Sequence, residues 1–184
     1  MKIEPIVTYT GVVMYPLAPQ TSDFRIEDIA HALSLMTRAN GHFIRFYSVG
    51  QHCIACSKEG EARGYSPLVC LALLLHDASE AYLSDITRPV KISLPNYVEI
   101  EKSLQKVMEQ AFGLENLTDE DRELISSVDD AMLYYEFENL HKDGGFHKEY
   151  HLMGDHSLEF RNMQEVEMQY LEQYHKLIKR LGDK

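Results

Sequence analysis

Residues Leu71–Lys91 read LALLLHDASEAYLSDITRPVK, and this stretch decides the fold. An apolar run through Leu71, Leu73, Leu74 and Leu75 stops at His76 and Asp77, two metal-ligand types where a buried helix would carry another Leu or Ala. Burying such a pair without partners is unfavourable, and a metal ion satisfies both a neutral imidazole and a carboxylate at once. Glu80 follows Asp77 by three positions and His76 by four, so a helix would set all three on one face, with Asp85 further on.

Working outward, Ser66 and Pro67 stand in cap and first-turn positions for the helix that runs into His76. Its apolar residues point nearly all round, which predicts a central, buried helix. Upstream, Ser22 or Asp23 caps a first helix carrying Ile26, Ile29, Ala30, Leu33 and Met36, and a second starts near Ser48 with His52 in its first turns. Between them Arg38, Asn40, Gly41, His42 and Arg45 form a polar loop. Before them Thr8–Tyr15 reads as a short ribbon or extended arm around Gly11.

Downstream, a long amphipathic helix is expected from Tyr97 to Phe112, closed by Gly113. Thr118 opens another through an acid-rich first turn, followed by Leu124, Ile125, Val128, Met132 and Leu133. Residues 141–157 are polar and glycine-punctuated, a long loop whose four histidines read as solvated. A last helix is expected over residues 158–181. The whole, residues 1–184, reads as one all-α domain with a little β structure at its N-terminus.

Composition narrows the function. With 45% apolar residues, 184 positions suffice for one substantial core. A net charge of −11, from 29 acidic and 18 basic side chains, opposes binding to a nucleic-acid polymer or an anionic membrane. No apolar segment is long enough to span a bilayer, and the opening MKIEPIVTYTG lacks a signal-peptide pattern, so a cytoplasmic location is expected. Cys53 and Cys56 form a C-x-x-C with no second pair, inside a helix; they read as small buried residues. Exposed Tyr and Met positions on the long helices suggest an even-numbered homo-oligomer.

Three helices thus interrupt apolar faces with polar residues: His52, the His76-Asp77 pair and the Asp129-Asp130 pair. Together they offer two imidazoles and two carboxylates, a set suited to a divalent ion with open positions. The spacing alone leaves Asp129 and Asp130 open.

A His, then His-Asp, then a distant Asp, with H-D-A-S-E-A-Y-L-S-D-I and a following P-V-K, resembles the HD-domain phosphohydrolase superfamily. Within it the chain is similar to bacterial 5′-deoxynucleotidases and related phage-type dNTP triphosphohydrolases, over roughly Arg25 to Glu138. The resemblance implies an HD-type helical bundle and a divalent metal (Mn, Co, Zn, Fe, Ni or Mg) held by His52, His76, Asp77 and Asp130. Asp130 is chosen because the family's last Asp is commonly followed by Ala, as here by Ala131. It further implies Glu80 as the water-activating residue, Asp85 as the deoxyribose contact, and Arg38 with Lys91 as phosphate ligands, Arg45 being a weaker match. The loop after Arg38 departs from the nucleotidase pattern in lacking its aromatic residue. The implied activity is removal of phosphate from a deoxynucleoside 5′-monophosphate; the alternatives are a dNTP triphosphohydrolase and a catalytically silent nucleotide-binding sensor.

Overall fold

A computed structural model describes residues 4–182; the first three residues of the opening stretch read against a signal peptide lie outside it. The fold is all-α with a two-stranded antiparallel ribbon, β1 (Ile6–Val7) and β2 (Val13–Met14), at its start. The helices are α1 (Ile26–Leu35), α2 (Val49–Ala62), α3 (Pro67–Leu75), α4 (Glu80–Leu83), α5 (Arg88–Lys91), α6 (Pro95–Ala111), α7 (Asp119–Leu140) and α8 (Met163–Gly182). Among the described residues, no helix is long and apolar enough to cross a membrane.

Helix α3 is the axis of the domain, and all of Val69–Leu75 is buried. Its entry follows from local chemistry: the Ser66 hydroxyl accepts from the Val69 amide at 3.3 Å, and Pro67 occupies the first turn. Helices α2, α7 and α8 enclose it. On α8 the buried residues Val166, Tyr170, Gln173 and Leu177 follow the spacing of one helical face. Helix α2 approaches its neighbours at two glycines. A Cβ on Gly50 would stand 3.2 Å from the Leu33 backbone of α1, and one on Gly60 would stand 2.5 Å from Leu73 Cδ1 of α3.

Some boundaries differ from the sequence expectation. Asp23 does not cap α1; its carboxylate accepts from the Gln20 amide at 2.8 Å and closes a separate 3-10 turn. The acid that serves α1 is Asp28 in its first turn, which takes Thr10 N at 2.6 Å and Thr10 Oγ1 at 2.9 Å and so fastens the ribbon to the bundle. Helix α6 starts at Pro95, since proline fits a first turn as readily as it breaks a later one. Helix α8 starts later than expected because Asn162 Oδ1 caps Glu165 N at 2.8 Å. Residues 141–162 hold no helix or strand.

Candidate active site

The end of α3 is where the buried apolar run turns polar, and its last carbonyls are met by side chains. Leu73 O receives His76 Nδ1 at 2.7 Å, Leu74 O receives Tyr170 Oη at 2.6 Å and Leu75 O receives Gln105 Nε2 at 3.0 Å. Orphan carbonyls at a helix C-terminus are thereby satisfied away from water. The chain leaves through tight turns, with Ala78 N on Leu75 O at 3.1 Å and Glu80 N on Asp77 O at 3.0 Å, into α4. The single continuous helix that would stack His76, Asp77 and Glu80 is therefore broken after Leu75.

His76 donates from Nδ1, which leaves Nε2 directed at the site. His52, on the first turn of α2 behind its Ser48 cap, is held the same way: its Nδ1 lies 2.7 Å from Glu136 Oε1. The two Nε2 atoms stand 3.2 Å apart. Asp129 Oδ1 lies 3.2 Å from His52 Nε2 and 3.6 Å from His76 Nε2, and Asp77 Oδ2 lies 3.7 and 3.4 Å from the same atoms. Bonds of about 2.0–2.2 Å to a tetrahedral ion imply ligand–ligand edges of roughly 3.3–3.6 Å. Two nitrogens with their other ring positions tied, and two carboxylate oxygens at those separations, fit a divalent metal.

The electrostatics agree with that fit. Burial and the Arg38 cation disfavour imidazolium at His52, and burial disfavours it at His76, yet the surrounding anions push both well above the ordinary histidine value. Burial likewise opposes charge on Asp129, but its contacts with the two imidazoles hold it well below the usual carboxylate range. A metal cation would take the place of those protons.

Asp130, expected to be the fourth ligand, is not part of this cluster. It faces outward, with its Oδ1 taking Arg88 Nη1 at 3.1 Å and Nη2 at 3.2 Å. One residue on a helix turns about 100°, and with Val128 and Met132 buried against α2 and α3 the inward-turned acid is Asp129. Glu136, which the sequence reading missed, follows Asp129 by two turns. Its signal was there: Val128, Met132, Glu136 and Leu140 recur every four residues, so an acid occupies a stripe of buried apolar positions.

Glu136 also orders Arg38, whose Nε lies 2.9 Å from Glu136 Oε2 while Nη1 reaches Asp77 at 3.4 Å and Nη2 reaches Asp129 at 3.8 Å. Arg38 N bonds Tyr47 O at 2.9 Å, and Ala39, Asn40 and Gly41 follow with φ of 53°, 50° and 77°, a left-handed run that turns the buried Arg38 side chain inward. Glu80 is buried with Oε2 unpartnered and Oε1 3.7 Å from Lys91 Nζ. Burial, with Asp77 and Asp85 nearby, pushes the Glu80 carboxyl well above its ordinary value, and burial also raises Asp85. Arg38, Asp77, Glu80, Asp85, Lys91 and Asp129 all line one cleft of about 510 Å³. Arg45 lies outside it, paired with the exposed Glu159 at 2.7 Å.

Cys53 and Cys56 are buried free thiols, as their helical setting suggested, with Cys56 Sγ 3.6 Å from His52 Nε2. The reading of the loop histidines as solvated fails at His156. It is buried, with Nε2 2.8 Å from Glu59 Oε2; the same carboxylate group takes Met153 N at 2.8 Å, Gly154 N at 2.9 Å and Arg63 Nε at 2.7 Å.

No protein-family model matches the chain. Among curated proteins it is similar to the uncharacterized protein YfdR of Escherichia coli, 37% identical over 109 residues that make up 59% of this chain and 58% of the relative. It is also similar to an uncharacterized protein of Rhodobacter capsulatus, 39% identical over 104 residues, 53% of each. The match therefore spans little more than half the length of either relative.

Proposed function

We propose that the chain is a metal-dependent phosphohydrolase of the HD type acting on nucleotides, a 5′-deoxynucleotidase that removes phosphate from deoxynucleoside 5′-monophosphates. The observation that carries the reading is the convergence of His52 Nε2 and His76 Nε2 on Asp77 and Asp129, two carboxylates that line a cleft with Glu80, whose Oε2 is buried and unpartnered. These four residues would hold a divalent ion, which when bound supplies Lewis acidity toward water and the phosphoryl oxygens.

The protein groups would share the remaining work. Glu80 takes the proton of the attacking water, its raised affinity for protons strengthening it as a base. Arg38 offers Nη1 and Nη2 to the phosphoryl oxygens while Glu136 fixes its Nε, and Lys91 adds a point charge. Water adds to phosphorus as the ester P–O bond breaks, the leaving oxygen takes up the proton that Glu80 accepted, and the products are inorganic phosphate and a deoxynucleoside. Asp85, lining the same cleft, is assigned to the sugar hydroxyl.

Incubation of the Mn²⁺- or Co²⁺-loaded protein with dAMP and with dATP, followed by phosphate and triphosphate analysis, tests the reading. Phosphate from dAMP supports it. Triphosphate from dATP moves the attack to the α-phosphorus, and tight nucleotide binding with no turnover makes the chain a sensor. A cytoplasmic setting and an even-numbered homo-oligomer belong to the same proposal. A sedimentation mass of one chain at micromolar concentration removes the oligomer.

A further inference from the structure

The cleft continues past the polar cluster along α7, where Tyr134 and Phe137 line it, and it is completed by Phe146 and Lys148 from the irregular segment after that helix. From Asp129 to Phe137 is eight residues, roughly 12 Å of helix axis, and to Tyr134 roughly 7–8 Å. The nearer of these is close to the span a sugar bridges between a phosphate and a base. Phe146 is 58% exposed although it stands beside two other rings, 4.7 Å from Phe137 and 6.5 Å from Tyr134 between centroids.

The placement of Phe146 is built by the backbone. Gly144 and Gly145 have φ of 76° and 59°, and a Cβ on Gly145 would stand 2.7 Å from Phe137 Cβ and 2.8 Å from Phe137 O. Only glycine admits both that conformation and that approach, so the segment lies directly on α7 and presents the next ring at the cleft. Lys148 Nζ lies 3.2 Å from Tyr134 Oη and 5.0 Å from the centre of its ring, which adds a cation to the aromatic wall.

We infer that Phe146, with Tyr134, Phe137 and Lys148, is the platform on which the nucleobase of the substrate stacks, so that the 141–162 segment sets specificity for base-bearing phosphates over simple sugar phosphates. The occupant follows from continuity: an exposed ring opens into the same 510 Å³ cleft as Arg38, Lys91, Asp77 and Asp129, so a planar group attached to a phosphate satisfies both ends at once. This rests on the phosphohydrolase reading only in naming the reacting end.

The test uses the absence of tryptophan from the chain. Phe146→Trp places a single indole at the platform while keeping a ring, and deoxyadenosine and dAMP should each quench its fluorescence saturably. In the Mn²⁺-loaded protein, Phe146→Ala should raise KM for dAMP on the order of 10-fold, whereas Phe146→Trp should restore it and deoxyribose 5-phosphate should be turned over equally by all three. Absence of quenching, or an unchanged KM for dAMP in Phe146→Ala, overturns the platform even where hydrolysis is intact. Saturable quenching without hydrolysis of either phosphate supports the platform and overturns the phosphohydrolase reading.

Discussion

His52 Nδ1 lies 2.7 Å from Glu136 Oε1, and the second oxygen of that carboxylate binds Arg38 Nε at 2.9 Å. One buried acid thus orients both the His52 imidazole, proposed here as a metal ligand, and the Arg38 guanidinium, proposed for the phosphate. The charge pattern is coherent: burial opposes ionisation of Glu136, but His52 and Arg38 hold its carboxyl below the ordinary value.

Glu136→Gln keeps the shape and removes the charge, and the amide can accept at only one of its two atoms. Because partners of this kind fix ring orientation and ligand basicity, metal affinity should fall roughly 10- to 100-fold. Equilibrium dialysis with elemental analysis measures this. Unchanged affinity would mean that Glu136 only closes the packing between α2 and α7.

Asp129 and Asp130 separate cleanly by mutation. Asp129→Ala should lose bound metal and turnover together, since it removes the carboxylate 3.2 Å from His52 Nε2 and leaves only Asp77 beside the two imidazoles. Asp130→Ala removes an exposed pair with Arg88 and should retain metal, with a stability change within about 0.5 kcal/mol. The opposite pattern, metal lost only in Asp130→Ala, would return the ligand role to Asp130.

What could be read in the sequence was local. Ser48, Ser66 and Thr118 each cap their helix through a hydroxyl that meets an amide three residues on, so the starts of α2, α3 and α7 were legible from adjacent residues. Phase was not. Two neighbouring acids on α7 differ by about 100° of rotation, and only the packing of Val128 and Met132 selects which one enters the site. Glu136 carried a local mark, its place in the stripe of Val128, Met132 and Leu140, but its partners lie 84 and 98 positions away, so its role was not legible there. His156 looked solvated because its partner Glu59 is 97 positions away.

Glu80→Gln distinguishes a base from a ligand. Glu80 Oε2 is buried without a partner, and neither carboxylate oxygen is among the atoms converging on His52 and His76. Metal content should therefore stay at wild-type level while kcat drops about 10²- to 10⁴-fold, with KM for dAMP little changed because Arg38 and Lys91 are untouched. Near-wild-type kcat under saturating metal would remove Glu80 from the mechanism, and metal loss as complete as in His76→Ala would make it a ligand.

Glu59 gives a pH signature in the segment that carries Phe146. Burial opposes its charge, but His156, Arg63 and the Met153 and Gly154 amides together lower its carboxyl from the ordinary 4.5 to about 2. Near pH 3–4 the unfolded chain binds a proton at this position more readily than the folded one does. The stabilisation is therefore complete above about pH 4.5 and is lost as the pH falls from there through about 2. Glu59→Gln should lower stability at neutral pH by about 1.5–3 kcal/mol, the range for hydrogen bonds to a charged group, and should flatten the pH dependence of unfolding between pH 5 and 2 relative to wild type. Urea unfolding at a series of pH values gives both numbers. Faster hydrogen exchange at the Met153 and Gly154 amides in the variant would locate the loss, because both donate to Glu59 in the folded chain. Equal slopes in wild type and variant would mean that the Glu59 carboxylate does not hold this segment against acid.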